Sequence, residues 1–172
     1  MASPQHLLNL LANPINASNR KLMPIRRLSS RLALCAGLFL ASTTWAASCS
    51  SVVETLNQTL KPRINDTAAL ADTLSTLAQT SQLPARFVTK RQAQAAGWHP
   101  GSSLWAVLPG KSIGGDRFGN YQHRLDNGSY QEADLDYTGN KRGAKRLIFS
   151  RDGRRFITVD HYQTFTQVPS CQ

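Results

Sequence analysis

Residues 145–168 read KRLIFSRDGRRFITVDHYQTFTQV, and this stretch decides the fold. It contains three short runs rich in β-branched and aromatic residues, each followed or preceded by turn-forming residues. Asp152-Gly153 separates the first two runs and is typical of a tight β-hairpin. A similar run lies a short distance upstream. The sequence therefore predicts an antiparallel meander with strands at 130–136, 145–150, 155–159 and 164–168.

The N-terminal side of this meander has helical rather than strand periodicity. Segments 51–59 and 67–79 carry apolar residues three and four positions apart, and Lys61-Pro62 separates them. Thr89 is a suitable cap for a short third helix at 90–96, which Gly97 ends. Helices followed by antiparallel strands predict an α+β fold, with N-terminal helices packed on a C-terminal antiparallel β-sheet.

The chain is strongly basic. It has 172 residues, 20 Lys and Arg against 10 Asp and Glu, and a formal net charge of +10. Such a balance favours a polyanionic partner, either nucleic acid or an anionic membrane surface. It does not by itself indicate any chemistry.

Residues from Met23 have the pattern of a secretory signal peptide. A basic start at 26–31 precedes an apolar run at 32–41, and Thr44 and Ala46 suit cleavage after Ala46. The run is too short to span a bilayer. We expect an upstream extension at 1–22, a signal peptide at 23–46 and a single domain at 47–172, which keeps a net charge of +5. A lipoprotein signal ending at Cys49 and a buried apolar helix are the alternatives.

The cysteines fit export to an oxidising compartment. Cys35 lies in the predicted signal peptide, so the domain keeps Cys49 and Cys171, one near each end. We predict that they form a disulfide, with two free thiols as the alternative. Two isolated cysteines without a nearby histidine lack the spacing of a zinc site, and the sequence predicts no metal.

The predicted strands carry residues that suit phosphate chemistry. Glu132 lies in the first strand and His161 follows the third, while Arg142 and Arg146 flank the start of the second. Attack of a ribose 2′-hydroxyl on its neighbouring phosphate needs a base, an acid and cations that stabilise the phosphorane. Strands linked by salt bridges show the same pattern, so the spacing leaves both interpretations open.

Five segments within residues 83–168 resemble the barnase family of microbial ribonucleases. They read LPARFVTKRQAQAAGW, PGKSIGGDRFGN, QEADLDYTG, KRLIFS and DHYQTFT, in the family's order. The resemblance implies an α+β fold, bacterial export, and cleavage of single-stranded RNA through a 2′,3′-cyclic phosphate. It implies no cofactor.

The resemblance also implies roles for individual residues. Glu132 matches the family's general base and His161 its general acid. Arg142 and Arg146 match the arginines that hold the phosphate. The remaining matches are the transition-state lysine, the carboxylate that orients it and a phosphate-site tyrosine, at Lys90, Asp116 and Tyr162.

The base-recognition loop departs from the family pattern. Where the family reads Ser-Asn-Arg-Glu after Phe118, this chain reads Gly119-Asn120-Tyr121-Gln122. The family's Glu accepts hydrogen bonds from guanine N1–H and N2–H, whereas Gln122 offers one acceptor and one donor group. We therefore predict a guanine preference with reduced discrimination, which His123 could alter by reaching the base edge.

Other functions remain open at this stage. The same scaffold could bind RNA without cleaving it, although binding alone needs neither an acid nor a base. An interbacterial ribonuclease toxin with a cognate inhibitor would share the chemistry. The family implies a barstar-like protein inhibitor, but Tyr121 replaces an arginine that such inhibitors contact. We expect a secreted or periplasmic monomer, with no membrane association after signal cleavage.

Overall fold

The computed structural model describes residues 46–172, so the predicted extension at 1–22 and all but the last residue of the predicted signal peptide lie outside it. The helices and strands of the described range are α1 (Cys49–Thr59), α2 (Thr67–Thr80), β1 (Phe87–Val88), α3 (Lys90–Ala95), β2 (Ser112–Phe118), β3 (Tyr130–Asp134), β4 (Arg146–Ser150), β5 (Arg155–Thr158) and β6 (Thr166–Gln167). A short 3-10 helix spans Leu104–Ala106. The α+β prediction is confirmed.

Each α-helix of the described range begins at a polar side chain that accepts a hydrogen bond from its first turn. Ser48 Oγ accepts from the backbone of Ser51 at 3.2 Å, and Asp66 Oδ1 accepts from that of Ala69 at 2.8 Å. Thr89 forms a full capping box with Gln92, as the position of Thr89 predicted. Because these oxygens satisfy amides that have no partner inside the helix, local sequence sets the helix starts.

The six strands form one sheet in chain order, and every neighbouring pair except β1–β2 is antiparallel. Asp152-Gly153 does lie in the β4–β5 hairpin, where Gly153 has φ 90°. The connection is longer than the two residues that the dipeptide indicated, because Arg151–Arg154 separate the strands.

Strands β1 and β2 were not predicted, because β1 has only two residues and the glycines of β2 lower its strand propensity. Phe87 and Val88 pair in parallel with Ser112 and Ile113. A Cβ at Gly114 would lie 2.7 Å from Phe87 Cδ1. The glycine therefore allows this strand and the Phe87 ring to approach closely.

The two faces of the sheet have different neighbours. Ala133, Leu147 and Ile157 are in register and belong to the main core, which also contains the buried faces of α1 and α2. Their sequence neighbours point to the opposite face because strand side chains alternate. This second face carries Glu132 and its cross-strand partner Ile148.

Cys49 and Cys171 form a disulfide with a Cα–Cα distance of 4.8 Å, which confirms the predicted pair. The bond joins the start of α1 to the C-terminal segment, where Gln172 N also donates to Ala47 O at 3.1 Å. Within residues 46–172, no helix is long and apolar enough to cross a membrane.

Candidate active site

Glu132 lies at the centre of the second sheet face. Its carboxylate accepts a hydrogen bond on each oxygen, from Lys90 Nζ at 2.9 Å and from Tyr162 Oη at 2.7 Å. The residue is 7% exposed. Burial raises the pKa of Glu132, but the hydrogen bonds from Tyr162 and Lys90 outweigh burial and hold the pKa below its ordinary value. The carboxylate is therefore ionised at neutral pH.

Lys90 reaches Glu132 from the first turn of α3. Its backbone amide donates to Asp116 Oδ2 at 2.9 Å, which ties the start of this helix to β2. Asp116 is in register with Glu132 on the neighbouring strand. Asp116 therefore contacts Lys90 at its backbone amide, while the ammonium of Lys90 pairs with Glu132.

Asp134 is a functional candidate that the sequence analysis missed. Its side chain is buried, and it accepts two hydrogen bonds from Arg142, at 2.6 and 2.7 Å. Asp134 follows Glu132 by two positions and so lies on the same face of β3. This spacing is the sequence signal that could have identified it.

Asp134 also faces Arg146, its cross-strand partner in β4. Arg146 Nε lies 2.9 Å from Asp134 Oδ1 but off the hydrogen-bonding direction, so this contact is ionic. Arg146 Nη1 donates to the backbone oxygens of Gly143 and Lys145 at 2.8 and 2.7 Å. The two arginines are therefore held side by side by one buried carboxylate.

His161 and Tyr162 lie in a turn after β5 with unusual backbone geometry. Their φ angles are 59° and 69°, in the left-handed region that non-glycine residues rarely adopt. Asp160 Oδ1 accepts from Thr158 Oγ1 and from two backbone amides of the turn, and Oδ2 accepts from Thr164 Oγ1. The turn is held by these contacts.

Tyr162 connects this turn to the carboxylate. Its ring stacks on Phe118 at 5.4 Å between centroids, and Arg146 lies 5.9 Å from the ring centre. Burial and the hydrogen bond to Glu132 raise the pKa of Tyr162 to about 12, so its hydroxyl is a donor at neutral pH.

A cavity of about 630 Å³ opens beside these groups. Its lining brings together most of the residues predicted for catalysis and base recognition. They are Phe118, Gly119, Asn120, Tyr121, Gln122, Glu132, His161 and Tyr162, with Arg117, Arg124, Gln163 and Phe165. Lys90, Asp116, Arg142 and Arg146 are not in this lining. Lys90 contacts the lining residue Glu132, and Arg146 lies beside the ring of the lining residue Tyr162.

The predicted base-recognition loop folds back on itself. Both polar atoms of the Asn120 amide bond the backbone of Leu125, at 2.6 and 3.1 Å. Tyr121 is 87% exposed. His123 is exposed and lies outside the cavity lining described above, so the structure does not support its suggested contact with the base.

Residues 46–172 contain no cluster of three His, Cys, Asp or Glu side chains that could hold a metal ion. The acidic side chains of the site instead pair with lysine, arginine and tyrosine.

Comparison with known proteins identifies relatives of this chain. A family model described as ribonuclease matches residues 70–169. The chain belongs to the ribonuclease family. Ribonucleases of Bacillus intermedius and Bacillus pumilus are each 44% identical over 96 residues, which is 54% of this chain. The chain spans 59% of the length of these two relatives. A ribonuclease of Heyndrickxia coagulans is 43% identical, and the match covers 88% of its length.

Membership of the ribonuclease family confirms the resemblance found in the sequence. The matched range contains the second sheet face, the turn at 158–164 and the loop after β2. Sequence reasoning missed Asp134, Asp160 and Arg124. Asp160 lies within the matching segment DHYQTFT, immediately before His161, whereas Arg124 lies outside the five matching segments and carries no comparable signal.

Proposed function

We propose that the protein is an endoribonuclease that cleaves single-stranded RNA by transphosphorylation, without a metal ion. One observation carries this proposal. Glu132 is an ionised, buried carboxylate in the wall of a cavity that His161 also lines, with Lys90, Arg142 and Arg146 around it. A base, an acid and fixed cations are what the reaction needs, and a metal ion is not required.

In the proposed first step, Glu132 takes the proton of the ribose 2′-hydroxyl. The 2′-oxygen then bonds to the adjacent phosphorus, and the bond from phosphorus to the 5′-oxygen breaks. His161 gives a proton to the departing 5′-oxygen, which leaves a 2′,3′-cyclic phosphate. Water opens this ring in a second step, in which the two residues exchange roles.

The cations stabilise the charge that develops on the phosphorane. Arg142 and Arg146 are fixed by Asp134, so little reorganisation is needed as charge builds up. The Lys90 side chain is 40% exposed and lies beside Glu132, where it can meet a substrate phosphate. Tyr162 holds the carboxylate of Glu132 in place.

The test uses an oligoribonucleotide with a single GpA step, in EDTA. We expect cleavage to a 2′,3′-cyclic phosphate, and a 10²- to 10⁴-fold slower reaction in Glu132→Gln, about the range that acid–base catalysis contributes. Glu54→Gln, which removes the exposed carboxylate on α1, is the matched control and keeps the wild-type rate. A 2′-deoxy substitution at the guanosine abolishes cleavage.

Binding of the oligonucleotide by folded protein without cleavage would overturn the enzyme proposal. That result would favour the non-catalytic RNA-binding module. Cleavage that EDTA abolishes and Mg²⁺ restores would overturn the metal-free mechanism.

We further propose that guanine is preferred but weakly discriminated, because the acceptor carboxylate of the family is replaced by the Gln122 amide. The mean kcat/KM for several GpN steps, compared with that for the corresponding ApN steps, measures this preference directly. A preference above roughly a thousandfold, about 4 kcal/mol of discrimination, would contradict it.

We propose export to the periplasm or the medium, as a monomer. The disulfide supports this location because such bonds persist in oxidising compartments. Fractionation of producing cells tests the location, and sedimentation tests the monomer. Accumulation of the protein in the cytoplasm would contradict export.

A barstar-like inhibitor remains a proposed partner of the same cavity. Tyr121 is 87% exposed at the position where the family has an inhibitor-contacting arginine. We therefore expect barstar at equimolar concentration to leave most of the activity, and full inhibition by barstar would contradict this expectation.

A further inference from the structure

Arg124 bridges the base-recognition loop and the turn that carries His161. Its Nε donates to Gln122 Oε1 at 2.8 Å, and its Nη1 donates to the backbone oxygen of Gln163 at 2.5 Å. All three residues line the 630 Å³ cavity. The side chain of Arg124 therefore lies between the predicted base-recognition loop and the turn that carries His161.

The contact with Arg124 determines how the Gln122 amide is oriented. A guanidinium only donates hydrogen bonds, so the amide atom that faces it must be the carbonyl oxygen. The Gln122 nitrogen, with its two N–H donors, is then the atom left free for a ligand. A carboxylate at this position would instead offer acceptors on both of its oxygens.

The other polar side chain of the loop does not replace the missing acceptor. Asn120 uses its oxygen for the amide of Leu125 and its nitrogen for the carbonyl of the same residue. Gln122 is thus the loop amide that remains for a base.

We propose that Arg124 is a specificity-determining residue that lowers the preference for guanine over adenine. Because Arg124 holds the Gln122 carbonyl, a purine at this site faces the N–H donors of the Gln122 amide and the positive charge of the guanidinium. Guanine brings its own donors, N1–H and N2–H, to this edge, whereas adenine brings the acceptor N1. The inference rests on the proposed cleavage of RNA at this cavity and adds the residue that sets its base selectivity.

The decisive experiment compares Arg124→Ala with a matched control, Arg117→Ala. Arg117 is exposed and lines the same cavity, and within residues 46–172 its guanidinium makes no hydrogen bond to Gln122. Both variants lose one positive charge near the substrate. We therefore expect both to lower kcat/KM for GpA and ApA, through weaker attraction of the phosphates.

The ratio of kcat/KM for GpA to that for ApA separates the two variants. In Arg124→Ala the Gln122 carbonyl is free to turn and accept from guanine, and we expect the ratio to rise about three- to tenfold, the effect of one hydrogen bond. In Arg117→Ala the ratio stays at the wild-type value. An unchanged ratio in Arg124→Ala, or an equal rise in both variants, would overturn the proposal.

The Gln122→Glu variant tests whether the base-recognition loop contacts the base. It restores a carboxylate that can accept from guanine even while paired with Arg124, and we expect the GpA to ApA ratio to rise at least about tenfold, as for a hydrogen bond to a charged group. No change in this variant would also overturn the proposal. Thermal unfolding of each variant verifies that it is folded.

Dissociation constants for 3′-GMP and 3′-AMP give a readout that does not depend on cleavage. If the protein does not cleave RNA but Arg124→Ala shifts nucleotide preference towards 3′-GMP, the proposed function fails and the role of Arg124 stands. If the protein cleaves RNA and neither ratio shifts, the role of Arg124 fails and the proposed function stands.

Discussion

Glu132 receives one hydrogen bond from a neutral phenol and one from an ammonium group, and both favour its ionised form. Its folded-state pKa lies below the ordinary value of 4.5. The carboxylate therefore stabilises the fold above pH 4.5, and this contribution is lost as the pH falls through the folded-state pKa.

The pH dependence of activity tests this description of Glu132. We expect the acid limb of kcat/KM to have its midpoint below pH 4.5, since kcat/KM reports the ionisation of the free enzyme. Tyr162→Phe removes one donor and shifts the midpoint upward. Tyr121→Phe, at the exposed tyrosine of the same cavity, leaves the midpoint unchanged. An identical midpoint in Tyr162→Phe would contradict the role of the phenol.

Asp134 is the second residue on which the site depends. It is 4% exposed and pairs with Arg142 and Arg146, so Asp134→Asn leaves two positive charges without their partner. We expect the free energy of unfolding to fall by about 3–5 kcal/mol, the range for breaking a buried ion pair. Urea denaturation measures it.

Asp72→Asn is the matched control for Asp134→Asn. Asp72 pairs with Arg86, but its side chain is 60% exposed, and exposed ion pairs contribute little to stability. Its variant should unfold close to the wild-type midpoint. Equal effects of the two substitutions would show that the arginines do not need Asp134.

At the scale of elements, the turn from Thr158 to Thr164 positions the proposed acid. Two consecutive residues with positive φ persist only where their surroundings hold them. Asp160 supplies those contacts, and its own burial raises its pKa while the hydrogen bonds of the turn outweigh this and lower it to about 2.

We expect Asp160→Ala to lower kcat/KM about a hundredfold, because a displacement of about 1 Å at a catalytic group has effects of that size. Asp160→Asn keeps an acceptor for the turn amides and should restore most of the activity. A kcat that falls in parallel with the fraction of folded protein, with no rescue by asparagine, would indicate a role in stability alone.

The starts of the helices and the meander of strands were predictable at this scale, because caps, hydrophobic spacing and turn residues act within a few positions. The pairing of β1 with β2 was not. It depends on Gly114 fitting against Phe87 and on contact between segments that lie more than twenty residues apart.

At the scale of the whole molecule, the disulfide ties the first helix to the C-terminus across 122 residues. A bond that closes so long a loop restricts the unfolded chain strongly. We expect the double variant Cys49→Ser and Cys171→Ser to lose about 4–5 kcal/mol of unfolding free energy in the chain-entropy description. Thermal and urea unfolding under oxidising conditions measure the loss.

Reduction of the wild-type protein provides the control, since it removes the bond and leaves both side chains. It should produce a loss similar to that of the double variant. Wild-type stability that dithiothreitol does not change would contradict a stabilising role for the disulfide.

The sequence by itself determined the fold class and the family, and it predicted the cysteine pair and the residues of the proposed site, Glu132 and His161 among them. These features depend on local patterns and on segments such as QEADLDYTG and DHYQTFT, which are readable in the chain. Only the tertiary structure showed that Asp134 holds both arginines and that Arg124 occupies the carbonyl of Gln122. The physical reason is that such contacts depend on strand register and loop path, which bring together side chains whose spacing in sequence does not reveal their distance or orientation.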